Sequence, residues 1–453
     1  MEHDRERDRG RSCEEREGLD RRELLRRAVS VTVGLGALGL GCGEGGGSAD
    51  TADTAGAPAP GATAAGGAAG AAPAPDAADI PRIRAHRVLG KTGLRVSDVG
   101  FGTGGGGDPI LLQYAFDRGV TYFDTAESYP LGHPGVAEKA VGRAFRGRRD
   151  QIVLTTKTEA KAGDTRQVLM QRLHASLRRL QTDHVDIYLN HAVNDRERLE
   201  NQEWFEFVSR AKQQGKLRFA GMSGHAGRLI ECLDAALDQD LVDVILVAFN
   251  FGEDPAFYAG LTQGLDLVAL QPELPRVIAK AKQKGVGVLA MKTLRGGRLN
   301  DLRSHERPGG TFAQAALRWA LSHPSLDALV ISMGDRAQVD EYLGASGAKA
   351  LLGGDLLLLR EYARRNDPRY CRPACDACAG SCPHGVPIAD VLRTRMYAED
   401  YGDLARAQGA YASLGAGAAP CLSCSGEPCR GACPHGLDIA SLTRHSLRVL
   451  GRA

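Results

Sequence analysis

The chain has 453 residues, a quarter of them charged, yet its net charge at neutral pH is only +2. So even a balance argues against a dedicated nucleic-acid or membrane-binding surface. The length leaves room for more than one domain, and eight of the eleven cysteines are crowded into residues 371–453.

Read from its start, the chain first shows Asp20-Arg21-Arg22-Glu23-Leu24-Leu25-Arg26, which resembles a twin-arginine export signal. An apolar, glycine-rich stretch follows from Ala28 to Gly41, short for a membrane span. Leu40-Gly41-Cys42 looks like the end of a lipobox, although Gly39 stands where an aliphatic residue is usual. The expectation is a signal peptide over 1–42, passage through the twin-arginine translocase, and a periplasmic protein or a lipoprotein anchored at Cys42. The plain alternative is an arginine-rich tail. Residues 43–83 are dominated by Gly, Ala and Pro, and Gly43–Asp79 holds no aromatic and no large apolar side chain. Such a segment cannot offset its ordering entropy by burial and reads as a tether. Cys13 falls in the part that would be removed, and Cys232 reads as a small buried hydrophobe.

Residues 84–366 have the size of one (β/α)8 barrel. Eight short apolar runs read as strands: Val96–Gly102, Thr121–Thr125, Ile152–Thr158, Val185–His191, Leu217–Ser223, Val242–Asn250, Val286–Thr293 and Ala328–Ser332. The first seven precede helix-period stretches such as Arg166–Leu180 and Pro275–Lys284. That alternation predicts parallel pairing closed into a barrel, with an open doubly wound sheet as the alternative. The glycine run Gly102–Gly107 lacks the spacing and acidic partner of a dinucleotide fingerprint.

Residues at the carboxyl ends of barrel strands face the active site, and there stand Asp124, Tyr129, Lys157 and His191. With HRVLGKTGLRVSDVGFGT (His86–Thr103) and GVTYFDTAESYPLG (Gly119–Gly132), they resemble the aldo-keto reductase superfamily over about 270 residues. The resemblance implies carbonyl reduction with a nicotinamide, usually NADP(H), on a small-molecule carbonyl or alcohol. It implies Tyr129 as the acid, Lys157 lowering the tyrosine pKa, Asp124 holding the lysine, and His191 orienting the carbonyl. Alone, each has an ordinary explanation: a capping Asp, a packed Tyr, a surface Lys, a core His. For the cofactor it implies Ser223, Asn250, Met291 and Lys292, with Ser332, Gly334, Arg336 and Gln338 at the phosphate end. The chain departs from the family at Gly224, where Asn is usual, at Leu246, where Gln is usual, and at Met291, where an aromatic stacks on nicotinamide.

Residues 367–453 carry two cysteine quartets: Cys371, Cys375, Cys378 and Cys382, then Cys421, Cys424, Cys429 and Cys433. Each ends C-x3-C-P, and the continuations CPHGVPIADVL and CPHGLDIASLT mark an internal duplication. The runs resemble the bacterial ferredoxin pattern, with x3 opening the first and x4 in the middle of the second. That likeness implies a small, mainly helical ferredoxin-like module with two [4Fe-4S] clusters; zinc and disulfides are the alternatives. In such modules the fourth cysteine of a run often serves the other cluster, so individual ligands stay unassigned. Beside a barrel, two clusters imply a redox partner protein or a quinone. An electron-transfer protein with weak nicotinamide binding and a redox-sensing scaffold are the competing functions.

Overall fold

The computed structural model describes residues 80–451, except 131–132, 226–227, 262–270, 297–301, 367–370, 372–374, 376 and 400–403. The readings on Arg21, Arg22, Cys13, Cys42 and the tether lie outside the described residues, apart from the last few residues before Arg84.

The eight apolar runs form one closed parallel barrel. Its strands are β3 (Val99–Gly102), β4 (Tyr122–Asp124), β5 (Val153–Thr158), β6 (Val185–Asn190), β7 (Leu217–Gly224), β8 (Val244–Ala248), β9 (Gly287–Met291) and β10 (Ala328–Ser332). They pair in chain order, and β10 closes on β3 through Leu329 opposite Val99. The continuous apolar reading of these strands reflects burial on both faces. Along β8, Val244 and Leu246 point into the barrel, while Ile245 and Val247 join the layer under the helices. The same two-residue alternation separates Ile187 and Leu189 from Tyr188 on β6.

A hairpin of β1 (His86–Val88) and β2 (Arg95–Ser97) precedes the barrel. Its Leu89, Leu94 and Val96 complete the inner core together with Tyr122, Leu246 and Val330. The predicted strand Val96–Gly102 is therefore two strands. The break has a polar cause: the Ser97 hydroxyl accepts from the backbone N–H of Thr121 and Tyr122, and the Asp98 carboxylate accepts from Gly347 N and Ser346 Oγ. These bonds tie the strand start to its neighbours and turn the chain.

The helices include α1 (Pro109–Asp117), α2 (Val136–Ala144), α3 (Arg166–Leu180), α4 (Arg196–Leu199), α5 (Gln202–Gln213), α6 (Leu229–Asp238), α7 (Pro255–Leu261), α8 (Leu274–Gln283), α9 (Phe312–Ser322), α10 (Arg336–Leu343) and α11 (Asp355–Asn366). Thr165 caps α3, and Gln181 ends it in the left-handed region. The last strand is also followed by a helix, α10, which the sequence reading had not paired with it. Helix α11 docks by stacking Tyr362 on Phe312 and by a buried Arg318–Asp355 ion pair.

Beyond the barrel, α12 (Ile388–Glu399), α13 (Leu404–Ala412) and α14 (Ile439–Leu450) pack around Val391, Leu392, Ala407, Tyr411 and Ile439. The duplication read in the sequence recurs in the backbone. Gly385 and Gly436 both take positive φ, and their N–H groups donate to Cys382 O and Cys433 O respectively. Each Cys-Pro-His-Gly turn then delivers an isoleucine, Ile388 or Ile439, that starts a helix. No helix among the described residues is long and apolar enough to cross a membrane.

Candidate active site and cysteine module

Three neighbouring strands bring the four predicted side chains to one rim of the barrel. Asp124 ends β4, Lys157 lies near the end of β5, and His191 directly follows β6. Tyr129 enters from the turn after β4, where its N–H donates to Ala126 O. Lys157 Nζ donates to Asp124 Oδ1 at 2.5 Å and to Thr125 O at 2.7 Å. The ammonium lies 4.9 Å from the Tyr129 ring centroid, and Tyr129 Oη is 3.4 Å from His191 Nε2. Lys157 and Asp124 are almost fully buried, at 1% and 3% exposure, so neither charge is left to water.

The electrostatics differ in one respect from the sequence reading. Burial pushes the Lys157 pKa down, but Asp124 and Tyr129 outweigh it and hold the ammonium charged. Burial also raises the Tyr129 hydroxyl, and the pull of Lys157 only partly opposes it while Asp124 pushes upward. The net direction for Tyr129 is up, not toward neutral pH. Because Asp124 balances Lys157, the pair presents the phenol with little net charge. Burial, then the charges of Lys157, His225, Arg198 and Lys292, hold His191 well below its usual range, as a neutral imidazole. A protonated phenol beside a neutral imidazole can donate hydrogen bonds to a carbonyl oxygen and pass it a proton.

Residues outside the predicted set shape this rim. Arg198 donates to Ala160 O, Ala192 O and His191 O, which fixes the loop that carries His191. Glu127 accepts from Thr158 Oγ1 at 2.5 Å, tying the tyrosine turn to the end of β5. Arg198 comes from a charge-rich stretch whose sequence gives no sign of this role. Glu127 stood within the Gly119–Gly132 block already noticed, without a partner to mark it.

The predicted cofactor residues are more dispersed. Ser223 Oγ accepts from Ala192 N at 3.1 Å, so it braces the His191 loop. Asn250 Oδ1 accepts from Gly252 N and Arg295 Nη1, which makes it a turn residue in this structure. Met291 ends β9 half-buried against the inner core, and Lys292 follows it. Ser332 ends β10, and Gly334 N donates to Gln338 Oε1 at 2.8 Å. The Arg336 guanidinium covers the Tyr114 ring at 4.9 Å. Asp335 caps α10 by accepting from Gln338 N, which sets a carboxylate at that helix start. The family departures are built into the packing. A side chain at Gly224 would meet Leu229 Cδ1 at 2.4 Å and Val193 O at 3.0 Å. Leu246 pairs with Ser223 and is buried in the inner core. On the loop after β9, the buried Thr293 hydroxyl has no partner among the described residues, as a cofactor-contacting donor would.

In the cysteine module all eight cysteines are free thiols. Burial raises the Cys371 pKa to about 11; Arg393 opposes this, while the thiols of Cys378, Cys375 and Cys433 add to it. Burial likewise raises Cys429, whose neighbouring thiols are Cys421, Cys382 and Cys424. His435 Nε2, two residues past Cys433, lies 3.8 Å from Cys375 Sγ. The last cysteine of each run thus exerts an electrostatic influence on a cysteine of the other, Cys433 on Cys371 and Cys382 on Cys429. Among the described residues no three His, Cys, Asp or Glu side chains converge closely enough to hold a single metal ion.

Residues 110–351, just over half of the chain, match the aldo/keto reductase family. An uncharacterized oxidoreductase of Bacillus subtilis is 28% identical over 281 residues, which cover 54% of this chain and 85% of that protein. The L-galactose dehydrogenase of Arabidopsis thaliana is 27% identical over 61% of this chain and 92% of its own length. The L-glyceraldehyde 3-phosphate reductase of Escherichia coli K12 is 24% identical over 57% and 87%. Among solved structures, the holo form of an aldo-keto reductase from Bacillus halodurans covers 61% of this chain and 95% of its own, with 22% identity and a TM-score of 0.47. By the family match over residues 110–351, which its eight-stranded parallel barrel accompanies, the chain belongs to the aldo/keto reductase family and is an oxidoreductase.

Proposed function

We propose that the barrel interconverts a carbonyl and an alcohol with NADP(H), using Tyr129, Lys157, Asp124 and His191, and exchanges electrons with two [4Fe-4S] clusters. The reading is carried by one observation: the Tyr129–His191 contact beside the buried Lys157–Asp124 pair at the strand ends. When bound, the reduced nicotinamide supplies a hydride for the carbonyl carbon. As the carbonyl electron pair moves onto oxygen, Tyr129 gives that oxygen its hydroxyl proton, and His191 holds the oxygen in line. Lys157 stabilises the phenolate left behind, and Asp124 keeps the lysine charged and in place. Lys292, Thr293, Ser332, Gly334, Arg336 and Gln338 lie on the loops that would hold the cofactor.

The eight thiols fit the clusters by their chemistry and grouping. Soft thiolates suit iron–sulfur centres, and a cubane spreads its four ligands over four irons instead of gathering them on one ion. In this reading Cys371, Cys375, Cys378 and Cys433 would hold one cluster, and Cys421, Cys424, Cys429 and Cys382 the other. Such clusters carry single electrons, which suits a redox partner protein or a quinone. Insertion before export through the twin-arginine translocase, followed by residence in the periplasm with or without a lipid at Cys42, fits a chain that folds around metal.

A second reading has a specific basis. Leu229 fills the space where the family places an amide side chain, and Asp335 sets a negative charge at the start of α10. Both weaken a nicotinamide site and favour an electron-transfer protein with a vestigial one. The deciding experiment compares NADPH-dependent carbonyl reduction with dye-linked electron transfer in wild type and Tyr129→Phe. We expect the variant to lose about 100- to 10,000-fold of the first and to keep the second. Wild type that neither binds nor turns over nicotinamide establishes the second reading.

A further inference from the structure

Arg198 stands on α4, a single turn that Asp195 caps by accepting from Arg198 N at 2.8 Å. Its neighbour Arg196 forms a surface pair with Glu200. Arg198 instead reaches the backbone of the loop after β6. Its Nε donates to Ala160 O at 2.7 Å, Nη1 to Ala192 O at 2.9 Å, and Nη2 to His191 O at 2.8 Å and Asn190 Oδ1 at 3.1 Å. Hydrogen bonds from an ionised donor are stronger than neutral ones, and the planar guanidinium fork fixes direction as well as distance.

The loop it grips is strained. Ala192 holds φ 55, a left-handed backbone that costs a non-glycine residue about 1 kcal/mol or more. Such a conformation persists where the surroundings over-determine it. Here they act from two sides. The N–H groups of His191, Ala192 and Val193 donate to Thr158 O at 2.8 Å, Ser223 Oγ at 3.1 Å and Ser223 O at 2.8 Å, so β5 and β7 hold that side. The carbonyls of His191 and Ala192 are held by Arg198. Without the guanidinium the N–H side stays anchored, while the two carbonyls are free to turn as Ala192 relaxes to negative φ. The His191 ring is one residue from that point. It meets Tyr129 edge-on, with ring centroids 5.5 Å apart and Oη 3.4 Å from Nε2. A contact that open does little to restore its own alignment.

We propose that Arg198 is a positioning residue for the reaction: by holding the His191–Ala192 turn in its left-handed form, it sets the His191 ring against Tyr129. The kinetic consequence rests on the carbonyl-reductase reading of the barrel, and the structural consequence does not.

The test uses Arg198→Ala in the full chain, with guanidinium ion added back at non-denaturing concentration and with NADPH and 4-nitrobenzaldehyde as the probe pair. In the variant kcat should fall by about 10- to 100-fold, the scale of a catalytic group misplaced by about 1 Å, while the KM for NADPH moves less than about twofold. Guanidinium should restore kcat. Arg198→Lys, which keeps the charge and loses the fork, should fall between. A ring-nitrogen resonance of His191, assigned by its loss in His191→Gln and recorded without cofactor, should shift in Arg198→Ala and return with guanidinium. An undiminished kcat in Arg198→Ala overturns the proposal, as does an unmoved His191 resonance. A urea midpoint that guanidinium restores without recovery of either readout gives Arg198 a purely structural role and overturns it too. Should Arg198→Ala not fold, Arg198→Lys carries the comparison: a displaced resonance upholds the proposal and an unmoved one overturns it. Wild type that oxidises no NADPH with the probe counts against the reductase reading, and the resonance then decides the role of Arg198.

Discussion

The Lys157–Asp124 pair is the most demanding feature at the scale of single residues. Two opposite charges are buried 2.5 Å apart, and Asp124 Oδ2 has no partner of its own among the described residues. Removing one charge leaves the other buried and uncompensated, at a cost of about 3–5 kcal/mol. Lys157→Met and Asp124→Asn should each lower stability by that order in urea denaturation. The double variant should recover most of the loss while remaining inactive. A double variant as unstable as the sum of its singles would show that the pair is not a closed unit. His191 gives a second expectation, in pH. Its folded pKa lies well below the unfolded value of about 6.5. The unfolded chain therefore takes up a proton below about pH 6.5 that the folded chain refuses, and stability is present above that pH and falls as pH drops. One histidine contributes at most about 1.4 kcal/mol per pH unit. His191→Gln should flatten the decline in urea midpoint between pH 7 and pH 5. An identical decline in the variant would assign that proton elsewhere. That these residues gather at one rim was legible in the sequence because strand ends of a barrel meet at one face. The upward direction of the Tyr129 pKa was not legible, since it depends on how far Asp124 cancels Lys157.

At the scale of elements, the barrel strands were readable because parallel strands buried on both faces are continuous apolar runs. Val185–Asn190 and Ala328–Ser332 are found almost as the sequence marks them. The β1–β2 hairpin was missed because its strands are three residues each, and polar Ser97 and Asp98 interrupt a run that otherwise looks whole. The end of β7 shows the converse, a departure whose meaning appears only in three dimensions. Gly224 reads as a lost amide, but Leu229 and Val193 O leave a side chain no room there. Substituting the family residue is thus not a repair. Gly224→Asn should destabilise the protein by about 1–3 kcal/mol, the cost of overpacking, without tightening NADPH binding in a fluorescence titration. A variant that is stable and binds NADPH more tightly would show that Leu229 yields, and that nicotinamide affinity is limited by the missing amide alone.

At the scale of the whole molecule, the duplicated cysteine runs were plain in the sequence, but their mutual arrangement was not, because spacing along a chain does not say which run a fourth thiol approaches. The electrostatic influences point to interleaving: Cys433 acts on Cys371, and Cys382 on Cys429. His435 beside Cys375 places the end of the second run against the first by an independent contact. Each cluster would then draw ligands from both halves of the repeat and tie them together. Anaerobically purified protein should hold about eight irons per chain, two cubanes with four thiolates each. Interleaving makes a sharper demand than iron content. Cys433→Ala should perturb the same paramagnetic signal as Cys375→Ala, and Cys382→Ala the same signal as Cys424→Ala. If each run keeps its own cluster, Cys433→Ala will instead pair with Cys424→Ala. The second outcome would break the link between the halves, and stoichiometric zinc with no iron would remove the clusters altogether. Interleaving also predicts cooperative loss. With ligands shared across the repeat, stripping one cluster withdraws a strand of the other's support, so slow chelation should release iron in one phase. Two independent clusters would release it in two.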